Sequence, residues 1–234
     1  MVKLLNLLLF LMIAGTANAQ HDRYVSLQQQ TEVLENRKKS TSTIELYYDR
    51  QRLLLTKYYS APDEMLSIAN QLGELTLYYP ARNEVLYRQA EGYTSKRSLL
   101  FYFTNNLTDD LGLADEGFTL TSRNYEGNLL VTEWTAPESM QLISRVKMVF
   151  EGANPVYAEY LTAKGQTTKK IYYSRYADFN SFRMPMRITE ITYREKGDSI
   201  INRTLFSNVQ LSDEAHSEYF NFKIPENAKP LTSN

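Results

Sequence analysis

The sequence predicts an α+β protein, mainly antiparallel β, in which one strongly curved sheet carries helices against its concave side. Tyrosine reaches 18 of 234 residues against only 9 Gly and 7 Pro, a balance that favours pleated sheet over linker or collagen-like repeat. Short runs of β-type residues recur along most of the chain, divided by Pro and Gly. The links between these runs fall short of the dozen or so residues a parallel crossover needs. The strands are therefore expected to pair antiparallel throughout, in a sheet large enough to curl on itself.

Residues 1–19 open with Met1-Val2-Lys3, continue in an apolar stretch from Leu4 to Ala14 broken only by Asn6, and end in Thr16-Ala17-Asn18-Ala19. These are the parts of a secretory signal peptide, cleaved after Ala19. As a helix the apolar stretch spans about 16 Å, roughly half the hydrocarbon thickness, which is too short for an anchor. The chain has no Cys to carry an acyl group, so the mature product, residues 20–234, is expected to be a soluble single domain.

Within that domain, Tyr24, Leu27, Thr31 and Leu34 follow a 3, 4, 3 spacing in a stretch free of Gly and Pro, which predicts a peripheral helix over 22–37. Strand-like runs follow at 42–50, 53–59, 65–69, 75–79 and 84–88. Between Thr94 and Leu113 the texture turns helical. Thr94 or Ser95 is placed to cap one or two helices, and Leu99, Leu100, Phe103, Leu107 and Leu111 recur at three- and four-residue steps. Strands are then predicted at 118–125, 128–134, 140–150, 156–163, 166–176, 186–194, 199–209 and 219–224. The clearest alternation sets Met140, Leu142, Val146, Met148 and Phe150 against Gln141, Arg145 and Lys147. Turns fall at Gly127, Gly152, Gly165 and Gly197.

Composition and motifs exclude most chemistry. The 26 Lys+Arg against 27 Asp+Glu imply no nucleic-acid partner and no strong electrostatic one. The absence of Cys, with His21 and His216 near opposite ends, leaves nothing for a thiolate nucleophile, a Cys zinc site or an iron–sulfur cluster. No Gly-x-Ser-x-Gly, Ser-x-x-Lys, His-Glu-x-x-His, P-loop or Gly-x-Gly-x-x-Gly occurs. Asp109-Asp110 with Asp115-Glu116 fits no metal loop and reads as a solvated helix end and turn. No catalytic residue, metal site or cofactor is expected, and His216 reads as a surface residue. The tyrosine pairs at 47–48, 58–59, 78–79 and 172–173 each place one ring on either side of a strand. A long sheet with one apolar face and few helices either encloses a cavity or is filled by side chains, and the hydrophobic pattern leaves both open.

A family resemblance bears on that choice. Leu46-Tyr47-Tyr48-Asp49-Arg50-Gln51-Arg52, then Tyr58-Tyr59-Ser60-Ala61-Pro62-Asp63-Glu64, then Leu75-Thr76-Leu77-Tyr78-Tyr79-Pro80 with Asn83-Glu84-Val85, resembles the N-terminal half of the periplasmic lipoprotein carrier (LolA) family. Phe220-Asn221-Phe222-Lys223-Ile224-Pro225-Glu226-Asn227-Ala228 resembles that family's C-terminal segment. Tyr172–Tyr176, leading through Phe182 to Met184-Pro185 and Arg187-Ile188, is similar to the wider outer-membrane lipoprotein-sorting superfamily. The resemblance implies an unclosed half-barrel whose lid helices cover an apolar cavity for the acyl chains of a lipoprotein. It also implies a periplasmic location and a non-enzymatic, monomeric carrier that passes an acylated lipoprotein or lipid from an inner-membrane release complex to an outer-membrane acceptor. A lipid- or lipoprotein-sensing regulator of the same fold is the alternative; a lipid- or glycan-acting enzyme would need a buried carboxylate pair in the cleft.

Carried over by position, Arg50 matches the strand-end arginine that hydrogen-bonds backbone groups of the lid and holds the empty form closed, with Arg52 as the fallback. Period-two geometry puts Ile44, Leu46 and Tyr48 on the face of Arg50, and Leu53, Leu55 and Tyr59 share a face on the next strand. These six are the expected cavity lining, although Lys57 falls on the second row. Leu99, Leu100 and Phe103 are the expected lid. For each of them, ordinary core packing remains the other reading.

Overall fold

The structure, a computed structural model, describes residues 23–59, 64–194 and 197–231. The expected signal peptide and its expected cleavage point after Ala19, with His21, Pro62 and Lys196, lie outside the described residues.

The described chain forms one open sheet of 14 strands with few helices. Six strands make an N-terminal meander: β1 (Tyr24–Glu35), β2 (Lys38–Asp49), β3 (Leu53–Tyr58), β4 (Met65–Asn70), β5 (Glu74–Tyr79) and β6 (Glu84–Gln89). Seven make a second: β7 (Thr119–Glu126), β8 (Leu129–Thr135), β9 (Arg145–Glu151), β10 (Asn154–Leu161), β11 (Thr167–Phe179), β12 (Phe182–Tyr193) and β13 (Ser199–Leu211). The meanders join where β1 pairs with β13, so the first long strand sits mid-sheet between β2 and β13. The two-residue β14 (Lys229–Pro230) runs parallel to β6, the one departure from antiparallel pairing among the described strands. It closes that edge with Lys229 N–H to Asn83 O at 2.8 Å and Leu231 N–H to Val85 O at 2.7 Å. Between them stands Pro230, which has no N–H to offer a further strand.

The segment expected as a helix over 22–37 is the strand β1. The 3, 4, 3 spacing competes with a period-two row, Val25, Leu27, Gln29, Thr31 and Val33. The alternating row wins because β2 and β13 offer ladders on both sides, a tertiary gain that local periodicity does not register. Asn36 and Arg37, with φ of 50° and 61°, then make the tight turn into β2. Positive φ at both central residues matches the right-handed twist of the flanking strands, and asparagine tolerates it.

Three further expectations need correction. The alternation at 140–150 holds only from Arg145. Val146, Met148 and Phe150 are buried, but Met140 belongs to a turn, its N–H bonding to Pro137 O at 2.9 Å, and Leu142 is 80% exposed. The stretch 219–224 is no strand: Ser217 Oγ accepts from the Tyr219 N–H at 3.2 Å and starts a 3₁₀ turn over Glu218–Asn221. The helical region 94–113 contains one short α-helix, α1 (Leu99–Thr104). Its N-cap is Ser98, whose Oγ accepts from the Phe101 N–H at 3.1 Å, while Thr94 caps a separate 3₁₀ turn at Ser95–Arg97. Left-handed Asn106 and Leu111, with φ of 55° and 48°, prevent the helix from continuing. At Gly112, φ +90°, a Cβ would collide with the Tyr102 ring, so only glycine lets the loop after α1 fold back on it.

Side chains alternate between two apolar clusters, one on each face. The larger runs from Val25 and Leu27 of β1 and Leu46 and Tyr48 of β2 through Phe206, Met184, Tyr173 and Met148 to Trp134 of β8, and takes in Leu100 and Phe103 of α1. The smaller lies on the opposite face of the N-terminal meander, where Leu55, Leu66, Tyr78 and Val85 are covered by Tyr219, Phe222 and Ile224 of the C-terminal segment. Full burial of such side chains contributes about 1.5–3 kcal/mol each, which is why a non-strand segment can be held against a sheet.

Candidate functional site

β2 runs inward along its apolar row and ends in two charged residues with separate tasks. Asp49 is fully buried and accepts a two-pronged bond from Arg23, Nε to Oδ1 at 3.1 Å and Nη2 to Oδ2 at 2.9 Å. Its Oδ1 also accepts the Gln51 N–H at 3.1 Å. The carboxylate raises the Arg23 pKa above its ordinary value through that hydrogen bond. Arg50 then leaves the strand toward α1. Its Nη2 donates to the carbonyl oxygen of Thr104 at the helix C-terminus and to Asn105 Oδ1 at 3.3 Å, and Nη1 reaches Ser181 Oγ at 3.5 Å. A cation on C-terminal carbonyls satisfies acceptors that the helix leaves open. Arg52, the fallback, is exposed in the turn after β2.

Between α1 and the sheet lies an apolar hollow of about 180 Å³. Its walls include Leu46 and Leu54 from the N-terminal meander, Met184 and Phe206 from the other, and Leu100 and Phe103 from α1. Among the described residues Gln29 and Ser98 are its only polar lining, and Ser98 Oγ is already engaged, donating to Ser95 O at 2.8 Å. Leu99 stands at the rim, 40% exposed. Beneath, Tyr48 is buried, and its loss of water pushes the phenol up to about 12, so it stays neutral at ordinary pH.

The structure thus brings together Leu46, Leu99, Leu100 and Phe103, with Tyr48 and Ile44 in the same cluster and Arg50 at its end. It places Leu53, Leu55 and Tyr59 elsewhere. In the β2–β3 ladder Tyr48 pairs with Leu54 and Leu46 with Thr56, whereas Leu55 pairs with Tyr47; paired residues share a face. Leu53 and Leu55 therefore belong to the smaller cluster under the C-terminal segment, and Tyr59 is 48% exposed beyond the end of β3. Leu54 is the β3 lining residue that the sequence reading missed, and Met184, Ile188 and Phe206 of the second meander were missed as well. Lys57 was the signal for Leu54, because it shares the row of Leu53 and Leu55 and reaches Tyr219 Oη at 2.8 Å on that far face.

The acidic group at 109–116 acts as a turn: Asp110 accepts the N–H of Gly112 and of Ala114, both at 3.0 Å. Among the described residues no group of three His, Asp or Glu side chains could hold a metal ion, and no helix is long and apolar enough to cross a membrane.

No protein-family model and no curated protein matches the sequence. Solved structures do. A LolA superfamily protein from Nitrosomonas europaea superposes with a TM-score of 0.56 over 86% of this chain and 91% of its own, at 11% identity. The fold is LolA-like. A putative outer membrane lipoprotein-sorting protein domain from Vibrio parahaemolyticus shares the LolA-like fold with a TM-score of 0.55 at 12% identity, over 86% of this chain and 91% of that one. A DUF1329 family protein from Desulfovibrio piger does so with a TM-score of 0.54 at 16% identity, over 86% and 90%. At such identities the LolA-like likeness extends to the path of the chain and says nothing of individual side chains.

Proposed function

We propose that this chain is a non-catalytic, periplasmic carrier of acylated cargo, a single half-barrel domain whose sheet curves around α1 and whose α1 is a lid over an acyl-binding cavity. The observation that carries the reading is the apolar hollow between α1 and the sheet, and Arg50, bonded to Thr104 O at the end of α1, supports it. The cargo is an acylated lipoprotein or lipid passed from an inner-membrane release complex to an outer-membrane acceptor, with the protein acting as a monomer. A chain of fourteen methylenes exposed to water costs on the order of 11 kcal/mol, so transit through an aqueous compartment requires a shield.

At about 180 Å³ the hollow falls below the roughly 300–1,000 Å³ of ordinary ligand pockets, so a long acyl chain enters only as α1 moves out. The six-residue α1 is well below the roughly 12–15 residues at which an isolated helix is even marginal in water. It is held by the burial of Leu100 and Phe103 and by Arg50. An acyl chain occupying the places of those two side chains would replace their apolar contacts, so loading and lid displacement exchange like for like. Affinity then comes from nonspecific apolar contact, which also permits release.

The test is native mass spectrometry of the protein isolated from its own host, with extraction of whatever is bound, and titration of the purified protein with a fluorescent fatty acid. A bound acylated species and saturable uptake are expected. Absence of both would make the cluster around α1 an ordinary core and remove the carrier reading.

A further inference from the structure

The face of the sheet turned away from α1 carries a second concavity, about 390 Å³, lined by Lys39, Arg175, Arg187, Arg203 and a single carboxylate, Glu32. Glu32 and Arg203 lie opposite each other across β1 and β13. Arg203 pairs with Thr189, two residues along β12 from Arg187, which makes the two arginines diagonal neighbours. Arg187 in turn pairs with Ser174, next to Arg175. Like charges gathered this way on a sheet are destabilising unless something answers them.

Glu32 answers only part of the charge. Its Oε1 is 2.8 Å from Arg203 Nη1 and its Oε2 is paired with Lys39, and both contacts lower its pKa, so it stays ionised at neutral pH. Among the described residues neither Arg175 nor Arg187 has a carboxylate partner. The backbone is also bent at this point. Arg175 has φ 57°, a left-handed conformation that is unfavourable for a residue with a Cβ. It lies between the inward Tyr173 and Tyr176. Uninterrupted alternation from Tyr173 would send residue 175 to the apolar face; the bend delivers it to the groove instead. An adjoining depression of about 370 Å³ shares Gln30, Arg175 and Leu205 and adds Met186 and Phe206 beside Gln28, Thr43 and Ser207, so the cationic end abuts one of mixed polar and apolar lining.

We propose that this groove binds a phosphate group, carried by a lipid headgroup or by a small phosphate ester. Three arginines favour phosphate over a simple anion, because each guanidinium fork fits two phosphate oxygens in its plane. The unanswered positive charge matches a phosphate mono- or dianion, and the neighbouring depression, with Met186 and Leu205 beside amides and hydroxyls, suits the glycerol root of a phospholipid. The site stands independently of the acyl-binding reading, lying on the other face of the sheet.

The test uses the full mature chain and its Arg175→Gln/Arg187→Gln double variant. Calorimetric titration with inorganic phosphate and with glycerol phosphate at constant ionic strength should show binding that weakens by about tenfold or more in the variant. Sedimentation with phosphatidylglycerol vesicles, against phosphatidylcholine vesicles, separates the sources. Loss of phosphatidylglycerol binding in the variant assigns the site to headgroups, whereas phosphate binding without vesicle binding assigns it to soluble esters. Glu32→Gln should tighten phosphate binding a few fold by releasing Lys39 and Arg203. Fatty-acid uptake of the double variant should match the parent, since both arginines lie away from the hollow, and its thermal midpoint should be no lower than the parent's, since the substitutions relieve like-charge repulsion. The proposal is overturned if the parent binds neither phosphate nor phosphatidylglycerol vesicles, or if the double variant binds them as the parent does.

Discussion

One guanidinium ties three pieces of backbone together: Arg50 joins the end of β2 to the last turn of α1 and to the Ser181 turn. Replacing it with leucine removes those bonds and strands the Thr104 carbonyl. Unfolding free energy from urea titration should fall by about 1–3 kcal/mol, and fluorescent fatty-acid uptake should become faster because the lid is released. A variant as slow to load as the parent would deprive Arg50 of the locking role. Asp49→Asn keeps the shape and removes the charge that Arg23 and the Gln51 N–H were arranged around. It should cost about 1–3 kcal/mol, read as a lower urea midpoint with unchanged slope. The sequence motif narrowed the strand-end arginine to Arg50 or Arg52, and the end of β2 at Asp49, with Arg50 bonded to α1, separates the two. Leu54 was not legible, since three successive leucines, Leu53 to Leu55, let either row be the inward one, and only the pairing with β2 decides between them.

The β2–β3 ladder makes that decision testable at the level of the element. Leu54→Gln puts an amide into the hollow and should reduce fatty-acid affinity several fold while leaving the fold intact. Leu55→Ala empties a fully buried site on the other face; it should lower stability by about 2–5 kcal/mol without altering affinity in the folded protein. An equal effect of the two on uptake would contradict the assigned faces. Strand positions were readable almost everywhere that Pro or Gly punctuates the chain, as at Gly127 and Gly165. The failures share a cause. β1 was taken for a helix because Gln28-Gln29-Gln30 carries no hydrophobic phase of its own, and α1 was overextended because the left-handed residues that end it, Asn106 and Leu111, are not both of a type that announces a turn.

Across the molecule, the two faces of the sheet are handled differently. One is filled by α1 and the loop after it; the other is covered, on the N-terminal meander alone, by the C-terminal segment. Phe220 packs against Tyr24 at 4.7 Å and Tyr47 at 5.8 Å between ring centroids, so it fastens that segment to the middle of the sheet. Phe220→Ala should cost about 3–5 kcal/mol and expose the Leu55–Leu66–Tyr78 cluster, detectable as increased binding of an apolar dye at mild urea concentrations; a dye signal equal to the parent's would mean the segment holds without it. The sheet's existence and its antiparallel order were legible in the sequence from short links alone. Its central seam was not, because nothing local in 24–35 or 199–211 says that they are partners.

That seam sets the timing of assembly. β1 is finished early in synthesis, yet the partner on its second edge, β13, is among the last long stretches to be made. A chain that pairs β1 with β2 before β13 has been made would hold a long strand bonded on one side only, its other edge open until most of the polypeptide has arrived. Such an edge is a template for pairing with a second copy, and closing so distant a contact slows folding. The requirement this places on the cell is to keep the chain unfolded or guarded until its C-terminal third is present, a demand that a sheet with its first strand at the rim would not make.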